Sequence, residues 1–83
     1  MNNVLMRKIV VTAEFRPLSV KPEVTSVTLS CPPTNGAAVI FQGDDGSEVP
    51  WQPSEWHTFK QVNLAEFYVK GVAGDVVVVI GGF

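Results

Sequence analysis

The stretch GDVVVVIGG, residues 74–82, decides the fold because it places four valines and an isoleucine in a row between glycines. Valine and isoleucine favour extended backbone, where their branched side chains pack well on a pleated sheet. A short apolar run that is bounded by turn residues predicts a strand, here over residues 76–80. Because apolar side chains stand on both sides of this strand, we expect it to be buried on both faces or paired with another chain.

Outward from this stretch, strand signals separated by turns fill most of the chain. Polar and apolar residues alternate over residues 6–15, which Pro17 is expected to end, and over residues 23–31, which Pro32 is expected to end. Shorter strands are predicted over residues 37–41, 48–51, 56–62 and 67–70.

Turn chemistry refines this pattern. Residues 43–46 (Gly-Asp-Asp-Gly) predict a tight turn, and Pro50 confines the neighbouring strand to a sheet edge because proline has no N–H to donate. Asn63 can cap a single helical turn, with Glu66 completing a capping box. Six or seven short strands predict an all-β fold, a small antiparallel β-sandwich or jelly-roll-like barrel. We assign residues 1–83 to one domain, with residues 1–18 as a leading strand or arm.

Size and composition predict dependence on a partner. The chain has 83 residues, of which 46% are hydrophobic and 17% charged, and a domain this small buries only about 60–65% of its unfolded surface. With Cys31 as its one cysteine, it cannot form an internal disulfide. We therefore expect oligomerisation or docking to cover the surplus apolar surface. Because no apolar run reaches about 18 residues and residues 1–8 lack the order of a secretion signal, we expect a soluble product without a membrane partner.

The charges are distributed unevenly along the chain. Residues 1–21 carry four basic side chains against one acidic, net +3, and residues 22–83 carry two against seven, net −5. A basic leading segment on an acidic body suits head-to-tail packing of copies, although a few solvated charges are the simpler and preferred explanation. No basic cluster is interleaved with aromatics, so nucleic-acid binding is not expected.

No catalytic, cofactor or metal site is predicted. His57 is the only histidine, and its spacing implies no serine or cysteine partner. The acids at Asp44, Asp45 and Glu48 lack the twelve-residue pattern of a calcium loop. The glycines of residues 71–75 fit a hairpin better than a phosphate cradle.

A carbohydrate site is the alternative that the aromatic residues suggest. Glu48 and Glu55 lie near Trp51 and Trp56, and paired carboxylates with stacking rings occur in sugar-cleaving enzymes. A carbohydrate-binding module on a phage fibre or bacterial surface would use Trp51, Trp56 and Tyr68 as its platform. We consider core or interface packing the better interpretation for these aromatic residues.

Residues 26–82 resemble small β-sandwich virion proteins of tailed bacteriophages. The shared features are a strand that ends in a bulky residue and glycine, a proline-turn-glutamate lead-in, an aromatic, a valine-asparagine-leucine step, an aromatic strand, and a glycine-aspartate turn before a valine-rich strand. Here they are residues 38–43, 51–55, Phe59, 62–64, 67–71 and 74–80.

The resemblance implies a non-enzymatic capsid decoration (cement) protein, or a neck or tail component. Such a protein is made in the host cytoplasm, resides on the capsid surface, and contacts the major capsid protein and copies of itself as a homotrimer. Residues 1–16 would pair with a neighbour and the terminal strand would line a subunit contact. The predicted interface residues are Arg7, Ile9, Val11, Phe15, Trp51, Trp56, Phe59, Val77, Val79 and Phe83.

Overall fold

A computed structural model describes residues 4–82 of the chain. These residues form eight strands and one turn of 3-10 helix. The strands are β1 (Val4–Val10), β2 (Arg16–Pro17), β3 (Val24–Ser30), β4 (Val39–Gln42), β5 (Glu48–Trp51), β6 (Trp56–Asn63), β7 (Tyr68–Lys70) and β8 (Val76–Gly82), and the helical turn is Leu64–Glu66.

Two four-stranded antiparallel sheets pack face to face. The first sheet has the order β1-β8-β3-β6 and the second has the order β2-β7-β4-β5. Apolar side chains from the facing sides of both sheets form one core, in which the rings of Phe41 and Trp51 stack with centroids 3.8 Å apart. The prediction of a small antiparallel β-sandwich is confirmed.

The leading segment is a strand of this sandwich and not a free arm. β1 pairs with β8 over seven positions, so residues 4–10 belong to the sandwich itself, and the pairing of this segment with a neighbour stays a prediction. The strand also ends at Val10 rather than near Pro17. The chain then bends into the second sheet, where the Thr12 carbonyl accepts from the Gly71 N–H at 2.9 Å and the Thr12 hydroxyl donates to the Glu14 carbonyl at 3.0 Å.

The predicted tight turn and the Asn63 cap are found, whereas no hydrogen bond of Glu66 within residues 4–82 completes the predicted capping box. The Gly43 N–H donates to the Ser47 carbonyl at 2.7 Å, and Gly46 has a φ of +86°. β5, with Pro50, lies at the edge of the second sheet. The Asn63 side chain caps the helical turn by accepting from the Ala65 N–H at 3.0 Å.

The terminal valine-rich strand is buried on one face only. Val77 and Val79 lie in the core, whereas Val76 and Val78 are half-buried and Ile80 is 49% exposed. Of the two predicted outcomes, burial on both faces is therefore wrong for this single chain. The outward side chains of β8 are therefore accessible to another molecule.

Candidate assembly surface

The outward side of the first sheet is a flat apolar surface, which we call the outer face. Strand register places two rows of side chains across it, Met6–Ile80–Thr28–Thr58 and Lys8–Val78–Ser30–Trp56. Directly opposite side chains in antiparallel strands have Cβ atoms roughly 4.5–5.5 Å apart. The outer face comprises Val4, Met6, Lys8, Val10, Val24, Ser26, Thr28, Ser30, Trp56, Thr58, Lys60, Val76, Val78 and Ile80.

Large apolar side chains are exposed on this face. The most exposed are Met6 at 71%, Val4 at 70% and Trp56 at 62%, followed by Val24 at the start of β3, Val10 and Ile80. Apolar residues scattered singly are normal on a protein surface, whereas several exposed together on one face of a sheet are typical of a contact with another molecule.

The charges on the two outward sheet surfaces differ. The outer face carries Lys8 and Lys60, with no carboxylate among its described side chains. On the outward side of the second sheet, Lys70 is paired with Glu48 at 3.3 Å. The outer face is therefore an apolar surface with a basic rim, whereas the lysine on the outward side of the second sheet is neutralised by a carboxylate.

The structure divides the ten predicted interface residues among several environments. It places Val11, Trp51, Val77 and Val79 in the core with 6% exposure or less. Side chains that their own fold covers are not available to a neighbouring chain, so the interface prediction is corrected for these four. Phe83 lies outside the described residues.

The remaining predicted residues lie nearer the surface. Trp56 stands on the outer face, while Ile9 and Phe59 are half-buried against the core. Arg7 donates two hydrogen bonds to the Glu23 carboxylate at 2.9 and 3.1 Å. The ammonium of Lys70 lies 4.6 Å from the centre of the Phe15 ring.

The predicted interface includes Trp56 of the outer face but omits other exposed residues there, namely Val4, Met6, Val10, Val24 and Ile80. The predicted interface used the odd-numbered residues of β1 and β8. Met6, Val10 and Ile80 are even-numbered, so their side chains lie on the other side of these strands. In β1 the two sets are alike, since Arg7 belongs to one and Lys8 to the other. No signal in the alternation alone distinguishes the set that faces the core.

The three aromatic residues of the carbohydrate hypothesis are not brought together. Trp51 is buried and stacks on Phe41, with its ring edge also against His57. Trp56 stands on the outer face of the first sheet, and Tyr68 lies on β7 in the second. These positions do not form a shared stacking platform.

An open cleft of about 570 Å³ lies beside the turn between β4 and β5. Asp44, Asn63, Glu66 and Tyr68 contribute its polar groups. Asn63 is engaged in capping, because its side-chain oxygen also accepts from the Glu23 N–H at 3.1 Å. The acids of this cleft are not the pair Glu48 and Glu55 that the sequence suggested, and no histidine or cysteine is among its described lining residues.

Cys31, Glu55 and His57 are neighbours, which the spacing did not predict. His57 Nε2 lies 2.8 Å from the Glu55 carboxylate, and the Cys31 N–H donates to the Glu55 carbonyl at 2.8 Å. Burial, with the Glu55 charge adding to it, raises the pKa of the Cys31 thiol to about 11. Because the thiolate is the nucleophile, a buried thiol with this pKa is unreactive at neutral pH. The hydrogen bond with His57 is the largest cause that lowers the pKa of Glu55, and the hydrogen bond from the Gln52 N–H is the second largest.

Residues 4–82 provide neither a metal-ligand cluster nor a membrane-spanning helix. They contain no group of three or more histidine, cysteine, aspartate or glutamate side chains that could hold a metal ion. Within the same residues, no helix has the length and apolarity needed to cross a membrane. Of the features described above, only the outer face has the size and chemistry of a contact surface.

Comparisons with known proteins assign no family to this chain. No family model, no curated protein and no solved structure matches it. The resemblance to phage virion proteins therefore stays a prediction from the sequence, and the function is argued from the outer face.

Proposed function

We propose that the protein is a non-enzymatic structural subunit that is held in a larger protein assembly through the outer face of its first sheet. Support comes from the exposure of Met6, Val4 and Trp56 on one flat surface. Covering exposed apolar surface stabilises a contact by about 25 cal/mol per Å² before the costs of association. That surplus favours a chain that is stable in an assembly over one that acts alone.

The assembly that we propose is the head of a tailed bacteriophage. The sequence resemblance of residues 26–82 supports a capsid decoration (cement) subunit on the capsid surface, bound to the major capsid protein and to copies of itself as a homotrimer. A neck or tail position would use the same surface. Contacts that exist only in the expanded, closed shell stabilise that state by mass action, so the role needs no catalysed reaction.

The proposal is tested by co-sedimentation with emptied, expanded phage heads. The unmodified chain is expected to pellet with the heads. Ile80→Glu places a charge in the middle of the outer face and is expected to weaken binding at least about tenfold, because the carboxylate must lose its hydration on contact. Tyr68→Glu, a matched change on the outward side of the second sheet, is expected to leave binding intact.

The solution mass provides a second test. Sedimentation velocity is expected to give three times the 9.0 kDa chain mass, and Ile80→Glu is expected to shift this towards the monomer. A chain that is monomeric at all concentrations and ignores phage heads would contradict the proposal. If the same chain were retained on a glycan array, the carbohydrate-binding alternative would replace it.

A further inference from the structure

The four sheet edges differ in how far another strand could pair with them. β2 has two residues and ends in Pro17, and β5 contains Pro50, so neither offers a continuous row of N–H donors. β6 is interrupted where its register against β3 shifts and Gln61 adopts a φ of +51°. β1 differs, because its seven residues contain neither proline nor glycine and keep a continuous register with β8.

The free edge of β1 presents the main-chain groups of its even-numbered residues. The Val11 N–H points towards β8, where it donates to the Asp75 carbonyl at 2.9 Å. Main-chain groups alternate in direction along a strand, so the N–H and C=O groups of Val4, Met6, Lys8 and Val10 point away from β8. An unpaired edge of this kind is a template for an added strand.

The charged side chains near this edge indicate which charge an added strand would carry. Arg7 is already compensated by Glu23, whereas no ion pair within residues 4–82 involves Lys8. If two copies paired β1 against β1 in full antiparallel overlap, Lys8 would lie opposite Met6 and its charge would stay uncompensated. A partner strand with a carboxylate opposite Lys8 is therefore favoured over self-pairing.

We infer that the β1 edge accepts an extended strand from a partner protein, with apolar residues at alternate positions and a carboxylate opposite Lys8. The apolar side chains of that strand would extend the surface formed by Val4, Met6 and Val10. This inference rests on the proposed function, in that a neighbouring chain of the assembly supplies the strand. It adds main-chain pairing to the side-chain contact of the outer face.

The test uses the full chain, labelled for NMR, and a nine-residue peptide. The peptide alternates valine and threonine, with its central valine replaced by glutamate. Amide hydrogen exchange is expected to slow at Val4, Met6, Lys8 and Val10 when this peptide is added at millimolar concentration. The same peptide with a central lysine is expected to bind about threefold to fivefold more weakly, because it meets Lys8 with a like charge.

Hydrogen bonding at the β1 edge can be removed by one change in the protein and, independently, by one change in the peptide. Met6→Pro deletes an outward N–H that takes no part in the pairing of β1 with β8, and it is expected to abolish peptide protection. Met6→Val keeps both the N–H and an apolar side chain and is expected to retain it. A peptide with N-methyl groups on its edge-facing amides is expected to be inactive with the unmodified chain, so the test does not depend on the folding of the proline variant.

Several results would overturn the inference. These are unchanged exchange at the four amides, equal binding of the glutamate and lysine peptides, protection on β6 rather than β1, and β1 pairing between copies without peptide. A chain that pellets with phage heads but ignores the peptide would refute only this inference. A chain that binds the peptide but no heads would refute only the proposed assembly.

Discussion

The two faces of the first sheet have similar residues and opposite environments. On β8, Val77 and Val79 point inward and are buried, whereas Val76, Val78 and Ile80 point outward and stay accessible. The inner face is covered by the second sheet, and the outer face has no second layer among residues 4–82. The side chains on the two sides of β8 are therefore equally suited to burial. Those on the inner side are buried because the second sheet covers them.

The largest effect that separates the two faces is expected from Leu29→Ala. Leu29 is fully buried on the inner face of β3, so truncation is expected to lower the free energy of unfolding by about 2–5 kcal/mol. Val10→Ala on the outer face, where Val10 is 58% exposed, is expected to cost less than about 1 kcal/mol. Urea denaturation measures both, and equal losses would contradict the assignment of the two faces.

Gly81→Ala tests how closely the strands of the first sheet approach one another. A Cβ atom at Gly81 would collide with the Ser26 carbonyl oxygen and with Val27. Overpacking of this kind typically costs about 1–3 kcal/mol, and collision with backbone places Gly81→Ala at the upper end. At Gly36 the added Cβ would meet only the Asp75 carboxylate, at 3.9 Å. A Gly36→Ala variant as unstable as Gly81→Ala in thermal denaturation would refute this explanation.

Val79→Thr on the inner face and Val10→Thr on the outer face each replace a methyl group by a hydroxyl group of similar size. Together they measure how well each face tolerates a polar group. Val79 is 1% exposed, so a hydroxyl there loses its contact with water, and we expect a loss of about 1–2 kcal/mol in unfolding free energy. Val10→Thr makes the same change on the outer face and is expected to be nearly neutral for the isolated chain. Comparable urea midpoints for the two variants would show that water reaches the side chains of the inner face.

The smallest effect concerns the ion pair between Arg7 in the middle of β1 and Glu23, the residue before β3. Hydrogen bonds from Arg7, and then from Ser19, lower the pKa of Glu23. A carboxylate whose pKa is lower in the folded state contributes stability fully above its unfolded pKa, about 4.3. This contribution is lost as the pH falls through the folded-state value.

Glu23→Gln is therefore expected to reduce the acid sensitivity of the urea midpoint between neutral pH and about pH 3. Glu14→Gln is the matched control, because Glu14 is 83% exposed and its nearest cation, Arg16, is 3.9 Å away. If both variants kept the acid sensitivity of the unmodified chain, Glu23 would not be its source.

Much of the site could not be predicted because it depends on contacts between distant residues. Alternation divides β1 into two sets of side chains, but the choice of the inward set depends on pairing with β8, some 70 residues later in the chain. The neighbourhood of Cys31, Glu55 and His57 likewise depends on the pairing of β3 with β6. The bend after Val10 was missed because the sequence alternation continues through it.

The sequence by itself determined most of the strands, although neither β2 nor the end of β1, and it determined the tight turn at residues 43–46, the edge position of Pro50 and the cap at Asn63. These features follow from proline, glycine and side-chain geometry within a few residues of chain. Only the tertiary structure decided that Trp51 is buried while Trp56 is exposed, and that Met6 and Ile80 share an uncovered surface. The physical reason is that a strand has two equivalent faces until another layer packs on one of them.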